Sequence, residues 1–305
     1  MHIKMKVPKS YWIIARRLTT AQLQKTDPER NSIDEADLFN INIGRRGHGF
    51  FLGYYSSEGL KLALEKYGLI EILSNKGFKN IIFILDTNDP YVHRLSLYDE
   101  SQRPENLLIE LVLKKQTITI DMPFKTKLNG KRFETLSIEW MCLQNPRAKF
   151  TSQRPQLPGQ NYPGLGIASK AVELLMITSW RLNLAGLLNS PQQYHNAFLY
   201  SRIFYYLDPN DQARLLAMAR DTGKYPLNTV AWAMEHGAIQ DEVLGEPAKW
   251  ITSKQIVPLD RELKKVFNSR EYDKYVRQKS KDYRYNLDLD KFEKNKKIKE
   301  LTNEN

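Results

Sequence analysis

The stretch Pro158-Gly159-Gln160-Asn161-Tyr162-Pro163-Gly164-Leu165-Gly166-Ile167-Ala168 has the composition of a loop that offers backbone N–H groups to an anion. Glycines at 164 and 166 let the chain approach a pyrophosphate without interference from a Cβ. A helix opening directly after them adds about half a positive charge at its N-terminus. A second basic, glycine-rich stretch, Arg45-Arg46-Gly47-His48-Gly49, lacks the closing Lys-Ser/Thr of a nucleotide phosphate loop and reads as a turn. His48, His93, Asp86 and Asp89 match no familiar ligand spacing, so no metal is expected. Glu110 and Glu139 would form a carboxylate pair only if their strands were neighbours in register.

The elements that must position these groups are read from periodicity. Tyr11 to Ala15 is aromatic and β-branched and predicts a short strand. Ser57 is placed as the cap of a helix interrupted at Gly68, and a second short helix ends at Gly77. Ile81 to Leu85, followed by Asp86-Thr87-Asn88-Asp89-Pro90, reads as a buried strand and a turn. Strands follow at His93 to Tyr98, Leu107 to Leu113, Gln116 to Ile120 and Leu136 to Leu143 with no helix between them, which argues for a mostly antiparallel sheet. A helix from Ala168 to Leu182, a strand at Ala185 to Leu188, a helix from Gln192 to Ile203 and a strand at Phe204 to Leu207 come next. Beyond Asp208-Pro209 the pattern is predominantly helical.

Composition narrows the classes. At 305 residues and 41% apolar content the chain can bury a sizeable core. No apolar stretch approaches the roughly 20 residues of a membrane span, and the N-terminus lacks the apolar run of a signal peptide. A single cysteine, Cys142, cannot form an intramolecular disulfide and fits a reducing, cytoplasmic location. The net charge of +11 invites a nucleic-acid reading. From Arg261 onward, however, 14 Lys/Arg face 9 Asp/Glu, with both signs interspersed, which is the pattern of a solvated helical face. The remaining excess suits an anionic cofactor equally well.

The order of the parts resembles the GNAT (Gcn5-related) N-acetyltransferases over about residues 136–207. Leu136-Ser137-Ile138-Glu139-Trp140 is similar to that family's fourth strand, Gly164-Leu165-Gly166-Ile167-Ala168 to its pyrophosphate loop, and Leu184-Ala185-Gly186-Leu187-Leu188 to its fifth strand. Asn196-Ala197-Phe198-Leu199-Tyr200 is similar to its last helix, with a Leu-Tyr pair. Asn161 stands where the family usually has Gln or Arg, and Phe204 where it has Gly.

The resemblance implies an α/β fold: a mixed, mostly antiparallel GNAT-like sheet flanked by helices over residues 41–208, an N-terminal segment 1–40, and a basic helical C-terminal extension over 209–305. It implies acetyl-CoA or another acyl-CoA as cofactor, with the backbone from Gly164 to Ala168, helped by Asn161 and Asn196, around its phosphates and pantetheine. Tyr200 becomes the acid for the departing thiolate, Glu139 the first candidate base and His195 the second. The acceptor is then an amine on a small molecule or peptide. The competing expectation is a non-catalytic module of the same shape that recognises protein or nucleic acid through its basic C-terminal region, where Tyr272, Tyr275, Tyr283 and Tyr285 interleave with Lys and Arg.

Overall fold

The computed structural model describes residues 7–26 and 49–295; Arg45 to His48, with Gly44 and Gly47, lie outside the described residues. A seven-stranded sheet organises the chain, in the order β1-β2-β3-β4-β5-β9-β6. Its members are β1 (Ile81–Asp86), β2 (Val92–Asp99), β3 (Leu107–Thr119), β4 (Arg132–Leu143), β5 (Gly186–Asn189), β6 (Tyr205–Tyr206) and β9 (Gln255–Pro258). Every pairing is antiparallel except that of β4 with β5. The expectation of a mixed, mostly antiparallel sheet flanked by helices holds.

One face of the sheet carries α1 (Lys9–Arg17), α2 (Thr20–Leu23), α3 (Ser57–Lys66), α4 (Leu69–Asn75) and α5 (Ala168–Arg181). Leu97, Leu113, Leu136 and Leu187 bury themselves against these helices. The chain then adds α6 (Tyr194–Tyr200), α7 (Pro209–Thr222) and α8 (Leu227–Glu235), and later α9 (Arg261–Phe267) and α10 (Arg270–Lys279). Leu263, Phe267 and Tyr272 of the last two helices cover the opposite face around Leu188 and Ile256. A three-stranded sheet of β10 (Tyr285–Leu287), β7 (Ile239–Asp241) and β8 (Glu246–Pro247) completes the molecule. Among the described residues no helix is long and apolar enough to cross a membrane.

Several local expectations need correction. Tyr11 to Ala15 is helical, not extended, because its buried residues Tyr11, Ala15 and Leu18 recur every three to four positions and Trp12 packs edge-on against Trp180 of α5. The cap of α3 is Ser56, one residue earlier than read, and its Oγ accepts from the Gly59 N–H at 2.9 Å. Ile81 to Leu85 is only half-buried, since β1 is an edge strand. The two strands expected at 107–113 and 116–120 are one, because β3 runs unbroken through Lys114 and Lys115 in register with β4.

Most consequential is β9. It comes from the segment read as a helical extension, yet it lies between β5 and β6 and pairs Gly186 with Pro258 through Asn189 with Gln255. Gly186 is required at that contact, since a Cβ there would stand 2.8 Å from Ile256 Cδ1.

Candidate functional site

β4 and β5 are parallel neighbours only from Leu136 to Ile138. From Glu139 onward β4 diverges, and the gap opens into a cleft of about 500 Å³. Two features of the chain produce that gap. Between Ile138 and Trp140 the register with β3 slips, so that Val112 pairs with Trp140 and Leu113 with Ile138, leaving Glu139 as the extra residue of a bulge. At the far end the loop after Pro163 returns to the strand: Gln144 and Gly164 form an isolated bridge, and the Leu165 N–H donates to the Leu143 carbonyl at 3.1 Å. The strand edge between these two points faces the cleft.

Of the residues expected at the site, Glu139, Asn161, Gly164, His195, Asn196 and Tyr200 line this one cleft. Leu165, Gly166, Ile167 and Ala168 do not. Leu165 and Ile167 point into the core at 2% and 5% exposure, and the Leu165 amide, spent on Leu143, is not free for a ligand. Gly166 has φ +72°, a conformation natural to glycine, with nothing close to its Cβ position. α5 begins with no side-chain cap on its first turn, and Gly164 before it and Val172 within it both line the cleft.

Tyr200, at the end of α6, is tilted against Phe204 with ring centroids 5.8 Å apart. Burial raises its phenol above the ordinary value, so it is protonated at neutral pH. Burial would also raise Glu139, but the Lys114 ammonium at 2.8 Å, the Ser137 hydroxyl at 2.6 Å and the charges of Lys114 and Lys254 outweigh it and hold the carboxyl below its usual range. Glu139 is therefore an ionised, weakly basic carboxylate. Glu110 does not join it, being paired instead with Arg94 and opposite Cys142 in the register. Cys142 faces the cleft, but burial, with the charge of Glu110, pushes its thiol up to about 11. It is no thiolate nucleophile near neutrality.

His195 is 2% exposed, and burial lowers its pKa to about 4. It is neutral in the folded chain at pH 7. Between pH 6.5 and about 4 the unfolded chain binds a proton there that the folded chain refuses, so stability falls as pH drops through that window, by up to about 3 kcal/mol. Urea unfolding at pH 7 and pH 4.5 is expected to show a smaller stability loss in His195→Gln than in the wild type, and equal losses would contradict the placement of this imidazole. His93, by contrast, is structural: its Nδ1 accepts from the Leu52 N–H at 2.6 Å and its ring lies against Phe51.

Two contributors were missed by sequence reasoning. Asn189, at the end of β5, lines the cleft at 5% exposure, and its Oδ1 is buried with no hydrogen-bond partner among the described residues. Trp140 beside the bulge is 50% exposed and also lines the cleft. The signal for both was weak. An Asn after a short apolar strand reads as a turn residue, and an exposed tryptophan shows only once the bulge is known.

Cleft and sheet together define an α/β protein with a ligand-sized opening between two parallel strands at the centre of an otherwise antiparallel sheet. No family model matches the chain, and no curated protein matches it in sequence. A solved structure described as the crystal structure of AtaTR bound with AcCoA is similar to 52% of this chain and 81% of that chain, at 14% identity and a TM-score of 0.24. A likeness of that size says nothing about what this chain binds.

Proposed function

We propose that the protein is an acyl-CoA-dependent N-acyltransferase, transferring an acyl group to an amine. The observation that carries this reading is the divergence of β4 from β5 at the Glu139 bulge, with Tyr200 lining the same cleft. An open strand edge suits a ligand arm with amides of its own, which pairs with the backbone as an added strand would, and the pantetheine of CoA is such an arm. The buried, unpartnered Asn189 Oδ1 is an acceptor for one of its N–H groups. The loop before α5, where Gly159, Gln160, Asn161 and Gly164 line the cleft, is the part open to the phosphates of CoA.

The chemistry assigned to the side chains balances. The amine nitrogen attacks the thioester carbonyl, a C–N bond forms and the C–S bond breaks. The proton lost from nitrogen passes, directly or through water, to the Glu139 carboxylate, and CoA leaves as a thiolate that takes the Tyr200 proton. General acid–base assistance of this kind contributes about 10²- to 10⁴-fold. His195, neutral and buried, is the second candidate base. The binding-module alternative loses its aromatic platform in part, because Tyr272 and Tyr285 are buried and the Tyr272 hydroxyl donates to the Tyr206 carbonyl at 2.8 Å.

The test is a CoA-release assay across amines and peptides, followed by a pH profile of kcat/KM. Lys114→Met removes the cation that favours ionised Glu139, so the carboxyl pKa rises and the acidic limb is expected to move to higher pH. An unmoved limb in Lys114→Met, with a moved one in His195→Gln, would transfer the base role to His195. Failure of every acceptor together with failure to bind CoA would leave the binding module as the better reading.

A further inference from the structure

Behind β4, on the side of the sheet covered by α3 and α5, lies a second cavity of about 80 Å³. Its walls are aliphatic and aromatic, among them Leu64, Leu97, Leu113 and Leu175. The polar side chains on it, Tyr55 and Thr178, are hydrogen-bonding neighbours of each other. Water held there would find few partners, and an interior packed to the usual density contains few voids of this size. A smaller cavity of about 40 Å³ lies next to it, with Tyr55, Leu60, Leu64, Leu174 and Thr178 lining both. Towards the cleft, Met141 and Leu143 line both the cavity and the site between β4 and β5. Met141 is unbranched, with rotatable bonds that let it yield to a chain.

We infer that this cavity receives the acyl chain, so that the preferred donor is a medium-chain acyl-CoA, with a linear saturated chain of about five to eight carbons, in place of acetyl-CoA. The inference rests on the reading of the cleft as an acyl-CoA site. The carbonyl and the next carbon belong beside the Glu139 bulge. A cavity of about 150 Å³ takes one benzene, or about 25 Å³ per carbon, so 80 Å³ takes about three more carbons and the 40 Å³ extension one or two beyond those. Tyr55 and Thr178 are the polar side chains lining the larger part of that route, and Tyr67 and Arg181 join them only at the smaller extension.

Titration calorimetry with the full chain and CoA thioesters of increasing length tests this. Each methylene buried is expected to tighten binding about fourfold, so hexanoyl-CoA, with four more carbons, should bind about 250-fold more tightly than acetyl-CoA. The gain should stop after octanoyl-CoA, with dodecanoyl-CoA no tighter. Ala171, on α5, lines the cavity, and Ala171→Leu fills it, which should erase the difference between hexanoyl- and acetyl-CoA. Should that variant fail to fold, the wild-type length series decides alone. Affinity that is flat or declines from acetyl onward would overturn the inference and leave the cleft reading standing. Affinity that climbs steadily through dodecanoyl would mean partition onto an apolar surface and would overturn it too. If neither CoA nor any thioester binds, the cleft reading itself falls, and the inference with it.

Discussion

Tyr200→Phe is expected to lower kcat by about 10²- to 10⁴-fold while leaving the affinity for acyl-CoA within about twofold of the wild type. The two quantities separate because the phenol proton is needed only as charge builds on sulfur. The ring, packed against Phe204 at 5.8 Å, remains in place in the variant, so the fold and the cleft should be preserved. Burial raises the tyrosine pKa, which keeps the donor protonated across the physiological range and makes it a weak acid until the thiolate appears. Single-turnover measurements at saturating thioester isolate this step from product release. Full kcat in Tyr200→Phe would remove the acid role and leave the tyrosine as a wall of the cleft.

The second large effect concerns the segment beyond residue 208. A chain ending at Leu207 is expected to lose cooperative folding altogether. β5 is buried along its whole length and receives its outer partner from β9, with Leu187 opposite Val257 and Leu188 opposite Ile256. Deleting β9 strands backbone groups that pair in the native sheet, at about 1–3 kcal/mol for each one left buried and unsatisfied. It also uncovers Leu188 and Ile118, which pack with Ile256 and Phe267. A handful of such losses exceeds the 5–15 kcal/mol that holds a typical domain together. Thermal melts followed by near-ultraviolet circular dichroism should show no transition. A chain ending at Leu259 keeps β9 but loses α9 and α10, and is expected to melt at a lower temperature than the full chain. A cooperative melt from the Leu207 truncation at the wild-type temperature would show that the sheet is complete without β9.

That second result bears on what a sequence can disclose. The strand–loop–helix–strand order from Leu136 to Leu188 was legible because each element carries a local signal: alternation in β4, paired glycines before α5, and a compact apolar strand after it. β9 was not legible. Its residues Gln255-Ile256-Val257-Pro258 are too few to show a period, and the proline suggests a boundary; only the exposed edge of β5, set by tertiary structure, calls for them. Tyr11 to Ala15 misled for the opposite reason, since strong β-formers there are held in a helix by the surface of α5. Lys114-Lys115 looked like a break between two strands, although Lys114 instead supplies the ion pair to Glu139.

The candidate site divides in the same way. Tyr200, Glu139 and His195 could be singled out by residue type and order, but not their state. That His195 is neutral, that Glu139 is held ionised by Lys114, and that Cys142 is a protonated thiol all follow from burial and neighbours which the chain acquires only on folding. The sequence points to the backbone amides from Gly164 to Ala168 as phosphate ligands, and the structure assigns one of them, that of Leu165, to the Leu143 carbonyl. The part that would face the phosphates of the proposed ligand is the loop before Gly164, where Gly159, Gln160 and Asn161 line the cleft.

The central claim is that the cleft between β4 and β5 is an acyl-CoA site, and a crystal structure of the protein grown with saturating acetyl-CoA tests it most directly. The account predicts density for the pantetheine arm along β4 between Glu139 and Leu143, with Asn189 in contact and the phosphates towards the loop from Gly159 to Gly164. Density for the cofactor elsewhere on the molecule, or a cleft left open at a concentration where calorimetry shows binding, would contradict it.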